Sequence, residues 1–522
     1  MLTGITALIS IIAFGYFYFH GQEQLANYDN IARLNTARKM IDSITPGVGQ
    51  LGGIWLPFPQ ILTLPFIWND FLWHTGIAAY IVSGISFIVG ALFLEKTTYF
   101  LTKSKKVSLI VWFLFVSNIN ILLLQTMALS EMFFLCFFIL TMYYLIRWMH
   151  LHKLSDFLST AFCAMILTLT RYEGDFILAG AFIAIVIECF RKYTLRQKAK
   201  IEGMLLLFLT ISSFGIILWC IYSGLFYKDP FFWLHAYTPS SDAAILAWAK
   251  QSATIERLYG ILNPTFPQAF SIYTSVVFWT IGLIPVMLGL LGMVLYMLKP
   301  DRKYFPLFIT TIVLFAFLVV GYFKHLIPHI EFPAVYLTGL GERQWSVYAD
   351  SNVRYGIILM PVILLFAGFA AARNKFFFSV VLLFTVEQFF FSIASPQLLQ
   401  YQFDKSWRYP QNVNMTWFKR NYDDGLVFIA SSRHEDFMFQ SKLPYKSFIY
   451  EGTRSYWSDS LQTPSKYARW VIFDTSIQGD RLTMGLTQSG INDLQKHYLL
   501  VYLNKGFHVY KLKSNETVVV NQ

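Results

Sequence analysis

Long apolar runs separated by short polar loops fill most of the chain. Runs of roughly 18 to 22 residues, each long enough to cross a hydrocarbon core of about 30 Å as a helix, recur from the first residues to about position 393. This pattern predicts a polytopic α-helical membrane protein. The predicted helices, about eleven in number, cover approximately residues 2–20, 76–95, 107–125, 129–147, 156–170, 175–190, 203–223, 275–298, 304–323, 354–372 and 376–394.

The pattern changes at about Ser395, where short apolar runs begin to alternate with turn residues and polar helical pieces. The pattern predicts strands at LVFIA, YKSFIY, RWVIFD and LLVYL. It predicts helices alternating with them at NVNMTWFKRNY and GINDLQKHY. YLLVYLNKGFHVYKL predicts a closing hairpin with Asn504, Lys505 and Gly506 at its turn. We therefore expect a transmembrane module over residues 1–394 and a small soluble α/β domain over residues 395–522.

The charge pattern orients these helices. Of the 522 residues, 56% are hydrophobic and 14% charged, and the net charge is +11. The cations concentrate in the short loops KTTYFLTKSKK, RWMHLHK, RKYTLRQKAK, KPDRK and ARNK, as the positive-inside rule requires of cytoplasmic loops. We expect a multi-pass protein of the cell membrane with a cytoplasmic N-terminus, an external first loop over about residues 21–75 and an external tail. Topology explains the basic charge without a nucleic-acid partner.

The cysteines and the first apolar run exclude two further readings. Cys136, Cys163, Cys189 and Cys220 all lie in predicted helices without CxxC spacing, which argues against a disulfide framework and a zinc knuckle. The run LTGITALISIIAFGYFYF lacks a basic start and a small-residue cleavage site, so we expect it to be a retained helix and not a removed signal peptide.

The first external loop carries unusual polar chemistry for so apolar a chain. In YDNIARLNTARKMI, apolar residues recur at helical spacing and predict an amphipathic helix lying along the membrane surface: Ile31, Leu34, Ala37, Met40 and Ile41. The glycines and prolines of GQLGGIWLPFPQILTLPFIW forbid one straight spanning helix there. They predict a second surface-lying or re-entrant segment.

Asp29 near the start of that helix has two interpretations. Either Asn27 or Asp29 is an N-cap for the helix, with Arg33 one turn later as its partner. Alternatively, an external carboxylate close to the lipid headgroups is a base that deprotonates a hydroxyl while a lipid-linked donor presents its sugar.

Glu131 in MALSEMFF, and Arg171 with Glu173 in LTRYEGD, lie at helix ends on the same side as Asp29. Ionisable groups at such depth are candidates for a functional site. The alternative is helix termination, in which the acids offset the helix dipole and Arg171 pairs only with Glu173 or Asp175.

Two later loops add further candidates. Arg354 in SNVRYGIILMP opens a helix externally, where a guanidinium either grips a phosphate or snorkels to the headgroups. Arg343 precedes it in the same loop. His235 lies in FWLHAYTPSSDAA, where one histidine with scattered acids is weak evidence for a metal and a hydrogen-bonded loop histidine is the simpler reading.

YDNIARLNTARKMIDSITPGVGQLGGIWLPFPQ resembles the first external loop of the GT-C-type membrane glycosyltransferases. The resemblance extends to SEMFFLCFFILTMYYLIRW, to LTLTRYEGDF and to the RY opening a late helix, and so to roughly the first 390 residues. It points to phospholipid-carrier-dependent transferases similar to the aminoarabinose transferase and the protein O-mannosyltransferases. Such enzymes pass a sugar from a polyprenyl or dolichyl phosphate to an acceptor outside the cytoplasm.

By this resemblance, Asp29 matches the first-loop acid that serves as base, or as a metal ligand in some members. Many members carry paired acids there, whereas Asp29 is followed by Asn30, so Glu131 is our candidate for the second acid. YWSD at residues 456–459 is not the WWDxG motif of the oligosaccharyltransferase branch, which disfavours oligosaccharide transfer. Arg171 and Arg354 match no motif as closely, and we assign them to the donor phosphate from charge and sidedness.

We therefore expect inverting transfer of a sugar from a polyprenyl phosphate, undecaprenyl or dolichyl, to an acceptor hydroxyl of a protein, lipid or glycan at the external face. Asp29 and Glu131 are the predicted catalytic residues, and a divalent metal ion is the only cofactor considered. The predicted substrate-binding residues are Arg33, Arg171, Tyr172, Glu173, His235, Arg343, Arg354 and Tyr355. The alternatives are a lipid-linked saccharide transporter or flippase, for which the chain lacks evident internal repeats, and a polysaccharide ligase or polymerase.

Overall fold

The structure, a computed structural model, describes residues 1–20, 23–25, 28–236, 264–324, 353–394, 413–475 and 480–513. Each of the eleven predicted apolar segments contains a helix. The helices of this part of the chain are α1 Leu2–Phe19, α2 Tyr28–Lys39, α3 Phe58–Ile67, α4 Asp70–His74, α5 Ile77–Thr102, α6 Lys105–Val116, α7 Ile119–Leu124, α8 Glu131–Leu151, α9 Leu154–Thr168, α10 Glu173–Lys192, α11 Lys198–Ser212, α12 Phe214–Tyr227, α13 Phe232–Ala236, α14 Phe266–Ile281, α15 Leu283–Leu298, α16 Phe305–Phe323, α17 Met360–Ala371 and α18 Lys375–Ala394.

Several of these helices are long and apolar enough to cross a membrane. In the described ranges five segments meet this condition singly, and seven do if each of two bent helix pairs counts as one span. The single spans are Leu2–Phe19, Ile77–Thr102, Glu131–Leu151, Arg302–Phe323 and Arg354–Ala371. These helices indicate a membrane protein, while the count of eleven spans stays a prediction.

Three predicted helices are broken or bent, and the one predicted over 107–125 divides into α6 and α7 at Ser117 and Asn118. The segment predicted over 275–298 contains the end of α14 and all of α15, and the chain bends by 115° between these two helices. Gly282 joins the two helices with a φ of +103°. Glycine adopts this backbone conformation readily, whereas residues with a Cβ rarely do. The prediction of one helix there is wrong because hydropathy does not register a break inside a continuous apolar run. The segment predicted over 203–223 likewise bends by 42° between α11 and α12.

Apolar side chains lie on the outside of the helical region as well as in its interior. Exposed leucine, isoleucine and methionine side chains project from α1, α12 and α15, among them Leu8, Ile12, Leu225, Leu283 and Met287. A protein surrounded by water rarely exposes such large apolar patches, whereas a bilayer solvates them. The surface composition therefore agrees with a lipid environment.

Residues 413–475 and 480–513 form a five-stranded mixed sheet with short helices. The strands are β1 Val427–Ile429, β2 Phe448–Ile449, β3 Trp470–Asp474, β4 Tyr498–Asn504 and β5 Phe507–Leu512, in the order β2-β1-β3-β5-β4. β1 is parallel to β2 and β3, and β5 is antiparallel to β3 and β4, which gives the predicted closing hairpin. The helices are α19 Val413–Asn421, α20 Ser431–Ser441, α21 Ser455–Ser460, α22 Arg481–Gly485 and α23 Gln488–His497.

This sheet shares a hydrophobic core with the first loop. Ile31 and Leu34 of α2 belong to the same buried cluster as Phe437 of α20 and Phe448 of β2. The predicted domain boundary near residue 395 lies outside the described residues. Within the described part, the tail and the first loop are packed together, so the tail is in a position to influence α2.

Candidate functional site

α2 is buried on nearly all sides. Its apolar residues Ile31, Leu34 and Ala37 are buried as their spacing predicts, but Asn35 and Lys39 on its polar side are buried too. The expected amphipathic helix with a free polar face is therefore wrong. α20 covers that face, and contacts between parts of the chain so distant in sequence are not visible in a local periodicity.

Asp29 lies in the first turn of α2 and forms an ion pair with Arg354. Arg354 belongs to a short 3₁₀ helix, Val353–Leu359, that leads into α17. The side chain of Asp29 is 34% exposed, whereas that of Arg354 is 11% exposed. The acid is thus partly accessible to solvent, while the arginine that binds it is buried. Arg33, the partner expected of a simple helix cap, is not the residue that binds Asp29.

Glu131 at the start of α8 lies between two arginines. Its side chain is 1% exposed, and its Oε1 accepts a hydrogen bond from Arg171 Nη1 at 2.7 Å. Arg354 Nε lies 3.1 Å from the same oxygen, at ion-pair distance but without the geometry of a hydrogen bond. Glu131 Oε2 has no hydrogen-bond partner among the described residues.

Arg171 donates hydrogen bonds to two carboxylates, those of Glu131 and Glu173. Its Nη2 and Nε donate to the two oxygens of Glu173 at 2.8 and 3.2 Å, in addition to the bond with Glu131. Its guanidinium also lies over the ring of Tyr355, 4.6 Å from the centroid. The helix-end reading, in which Arg171 serves only a local partner, does not account for the bond to Glu131 on a different helix.

Arg33 is the third arginine of this region. It is 8% exposed, and its guanidinium carbon lies 4.6 Å from the ring centroid of Trp55. Among the described residues it forms no ion pair with a carboxylate, and its Nε has no hydrogen-bond partner. Burial lowers the pKa of Arg33 to about 10, opposed by Glu131 and Asp29. The group remains a cation at neutral pH.

The arginines also determine the state of the acid. Burial alone would raise the pKa of Asp29, but the ion pair and hydrogen bond with Arg354, helped by Arg33 and Arg171, hold the pKa of this carboxyl below its usual value. Asp29 is therefore ionised throughout the neutral range. An ionised, partly exposed carboxylate can accept a hydrogen bond from a hydroxyl group.

The remaining predicted residues have partners outside this group or lie outside the described part of the chain. Tyr172 donates from its hydroxyl to the backbone oxygen of Ile54 at 2.7 Å, which ties the cluster to the first loop. His235 is 68% exposed and bonds Asp229 at 2.6 Å, so it is a loop histidine with a local partner. Arg343 lies outside the described residues. No group of three or more metal-ligating side chains converges anywhere in the described ranges.

Sequence reasoning missed several residues that complete the site. No sequence pattern singles out Trp55 or Ser130, whose hydroxyl accepts a hydrogen bond from Arg171 Nη1 at 3.1 Å. Asn30 was noted only as the missing second acid, yet its Oδ1 accepts from the Ala128 amide at 2.5 Å and fixes α2 to the loop before α8. The cluster of Asp29, Arg33, Glu131, Arg171, Glu173, Arg354 and Tyr355 is called the arginine–acid cluster below.

The fold is similar to that of ArnT from Cupriavidus metallidurans, which agrees with the resemblance of the first loop to the GT-C-type membrane glycosyltransferases. ArnT from Cupriavidus metallidurans bound to undecaprenyl phosphate superposes with a TM-score of 0.58 and 11% sequence identity over 98% of both chains. The apo state of the same protein gives a TM-score of 0.46 and 12% identity over 97% of this chain and 98% of that one. No family model and no curated protein sequence matches the chain.

Proposed function

We propose that this chain transfers a sugar, with inversion, from a polyprenyl phosphate to an acceptor hydroxyl at the external face of the membrane. The observation that carries the proposal is the pairing of Asp29 with Arg354 inside the arginine–acid cluster. A partly exposed carboxylate stands there beside three buried guanidinium groups, those of Arg33, Arg171 and Arg354. The shared fold supports it, since the structural relative ArnT is described as bound to undecaprenyl phosphate.

The arginines suit a donor phosphate. Arg171 and Arg354 are already paired with carboxylates, whereas Arg33 has no carboxylate partner in the described part of the chain. Arg33 is therefore the cation available to an incoming phosphate. Arg354 can exchange its bond to Asp29 for one to the phosphate, since a guanidinium binds phosphate and carboxylate oxygens alike.

The reaction needs a group that accepts the proton of the acceptor hydroxyl and groups that stabilise the negative charge of the leaving phosphate. The Asp29 carboxylate takes the proton of the acceptor hydroxyl, whose oxygen forms a bond to the anomeric carbon of the donor sugar. The bond between that carbon and the phosphate oxygen breaks, and the polyprenyl phosphate leaves with the electron pair. The guanidinium groups stabilise the charge on the leaving phosphate, which is electrostatic catalysis without a covalent intermediate.

Glu131 was predicted to be catalytic, and its surroundings favour a supporting role. It is 1% exposed and contacts two arginines, so it orients guanidinium groups and does not itself meet the acceptor. The acceptor, whether protein, lipid or glycan, approaches Asp29 from its exposed side.

The test is release of free polyprenyl phosphate from a panel of undecaprenyl- and dolichyl-phosphate sugars by the detergent-purified protein. Asp29→Asn should abolish release, while Asp70→Asn, whose acid lies in the same loop and is 73% exposed, should retain it. Full turnover by Asp29→Asn would refute the base assignment. No release from any donor, together with transfer of donor lipid across reconstituted vesicles, would instead identify a transporter.

A further inference from the structure

A second buried ion pair joins the tail to α2. Lys39 is 5% exposed and Glu435 of α20 is 7% exposed, and Lys39 Nζ donates to Glu435 Oε1. The Lys39 ammonium lies over the rings of Tyr445 and Tyr450, at 5.4 and 4.7 Å from their centroids. Asn35 donates from Nδ2 to the Oε2 and to the backbone oxygen of Glu435, each at 2.9 Å. Every polar group of this contact is thus enclosed by protein.

Stability alone does not require such a pair. Apolar side chains of similar volume are often as stabilising as a buried ion pair, because both charges lose their hydration. Directional bonds supply something that apolar packing does not, which is a fixed register and rotation of one element against another. Two bonds from Asn35 and one from Lys39, one helical turn apart on α2, all end on Glu435.

The opposite end of the same helix carries the proposed base. Asp29 pairs with Arg354, and Asn30 bonds the Ala128 amide, so the first turn of α2 belongs to the membrane module. Lys39 lies ten residues after Asp29, a separation of about 15 Å along an α-helix. One helix therefore bridges the two regions.

We propose that Glu435 is a positioning residue, through which the tail holds α2 in the register that places Asp29 against the donor and acceptor. This inference rests on the proposed function for its catalytic consequence, but not for the anchoring itself. Tyr28 adds to the contact, because its hydroxyl donates to the backbone oxygen of Ser432 at 3.1 Å. The tail then contributes to sugar transfer by holding α2 in place.

Hydrogen exchange of the α2 amides tests the anchoring without any substrate. In Glu435→Gln the amides of residues 28–39 should exchange at least about tenfold faster than in the native chain. The control is Arg469→Gln, which removes an ion pair with Asp423 elsewhere in the tail, with both side chains about two-fifths exposed. This variant should leave exchange in α2 unchanged. Equal protection of α2 in Glu435→Gln and the native chain would overturn the proposal.

Kinetics on the donor that the native protein turns over test the catalytic consequence. Glu435→Gln should lower kcat by about 10- to 100-fold, the effect of a roughly 1 Å misplacement, with a change in KM below about twofold. A general loss of folding would instead reduce the amount of active protein. The double variant Lys39→Met, Glu435→Gln leaves no buried charge unpaired, and so it tests the same contact if the single variant does not fold.

The outcomes separate the two proposals. Faster exchange with lower kcat supports the positioning role, and faster exchange with native kcat overturns it. If the native protein releases no polyprenyl phosphate at all, the proposed function fails, and exchange alone then decides whether Glu435 anchors α2.

Discussion

Arg354 binds Asp29 across 325 positions of the sequence, and the same arginine lies 3.1 Å from Glu131. The first loop, the start of α8 and the segment before α17 therefore meet at one point. Because the arginine is shared, its departure toward a donor phosphate would leave Asp29 with less positive charge nearby. The carboxylate would become a stronger base at the moment when a donor is bound.

Arg354→Gln should move the pH dependence of turnover. In the proposed mechanism Asp29 acts as a base only when ionised, and Arg354 lowers the pKa of this carboxyl. Without the arginine the pKa of Asp29 rises. On acidification the activity should therefore begin to fall at a higher pH than in the native protein. A pH profile of kcat/KM measures this shift. Arg373→Gln, whose guanidinium bonds backbone oxygens of Leu295 and Lys299, should keep the native profile.

Trp55→Leu should weaken donor binding. The ring holds the Arg33 guanidinium at 4.6 Å, and such a contact contributes about 0.5–2 kcal/mol. We expect the KM for the donor to rise by about 2- to 30-fold with little change in kcat. Trp55→Phe should retain most of the affinity, and Trp68→Leu, at a position 69% exposed, should have no effect. A fall in kcat alone would contradict the assignment of Arg33 to the donor.

Gly292→Ala should destabilise the helical region. A Cβ at this position of α15 would lie 1.9 Å from the backbone oxygen of Phe366 in α17, and backbone cannot move aside as a side chain can. We expect a loss of about 1–3 kcal/mol and a lower thermal midpoint in detergent. Gly203→Ala meets no atom within 4 Å and should be neutral or slightly stabilising. Equal midpoints for the two variants would refute the close contact.

Asp480→Asn should reduce the acid sensitivity of the tail while lowering its stability at neutral pH. Burial alone would raise the pKa of Asp480, but His434 at 2.9 Å and backbone amides hold it below its usual value. Its contribution is therefore present above the unfolded carboxyl pKa of about 3.9 and is lost as pH falls through the lower folded pKa.

We expect about 1–3 kcal/mol of destabilisation by Asp480→Asn at pH 7, measured by thermal unfolding. The difference from the native chain should shrink as the medium becomes strongly acidic. Asp459→Asn, at an exposed position with one long contact to Tyr467, serves as the control. A difference independent of pH would show that the ionised carboxylate is not what stabilises this part of the tail.

The sequence by itself determined the apolar helices, the strands of the tail and the side chains worth examining. Helices such as α5 and α8 follow from the length of an apolar run, and the hairpin of β4 and β5 follows from alternation around a glycine turn. Glu131, Arg171 and Arg354 stand out because charged groups at the ends of membrane helices are costly, and Asp29 because it is a carboxylate in the first external loop. These are local properties, which the order of residues records directly.

Only the tertiary structure decided which of these groups meet. The pairing of Asp29 with Arg354, the sharing of Glu131 by two arginines and the bond from Lys39 to Glu435 join residues from 40 to 396 positions apart. The break at Gly282 and the burial of the polar face of α2 are equally invisible in a local pattern. Ion pairs and packing depend on distance in space, and a single sequence records only distance along the chain.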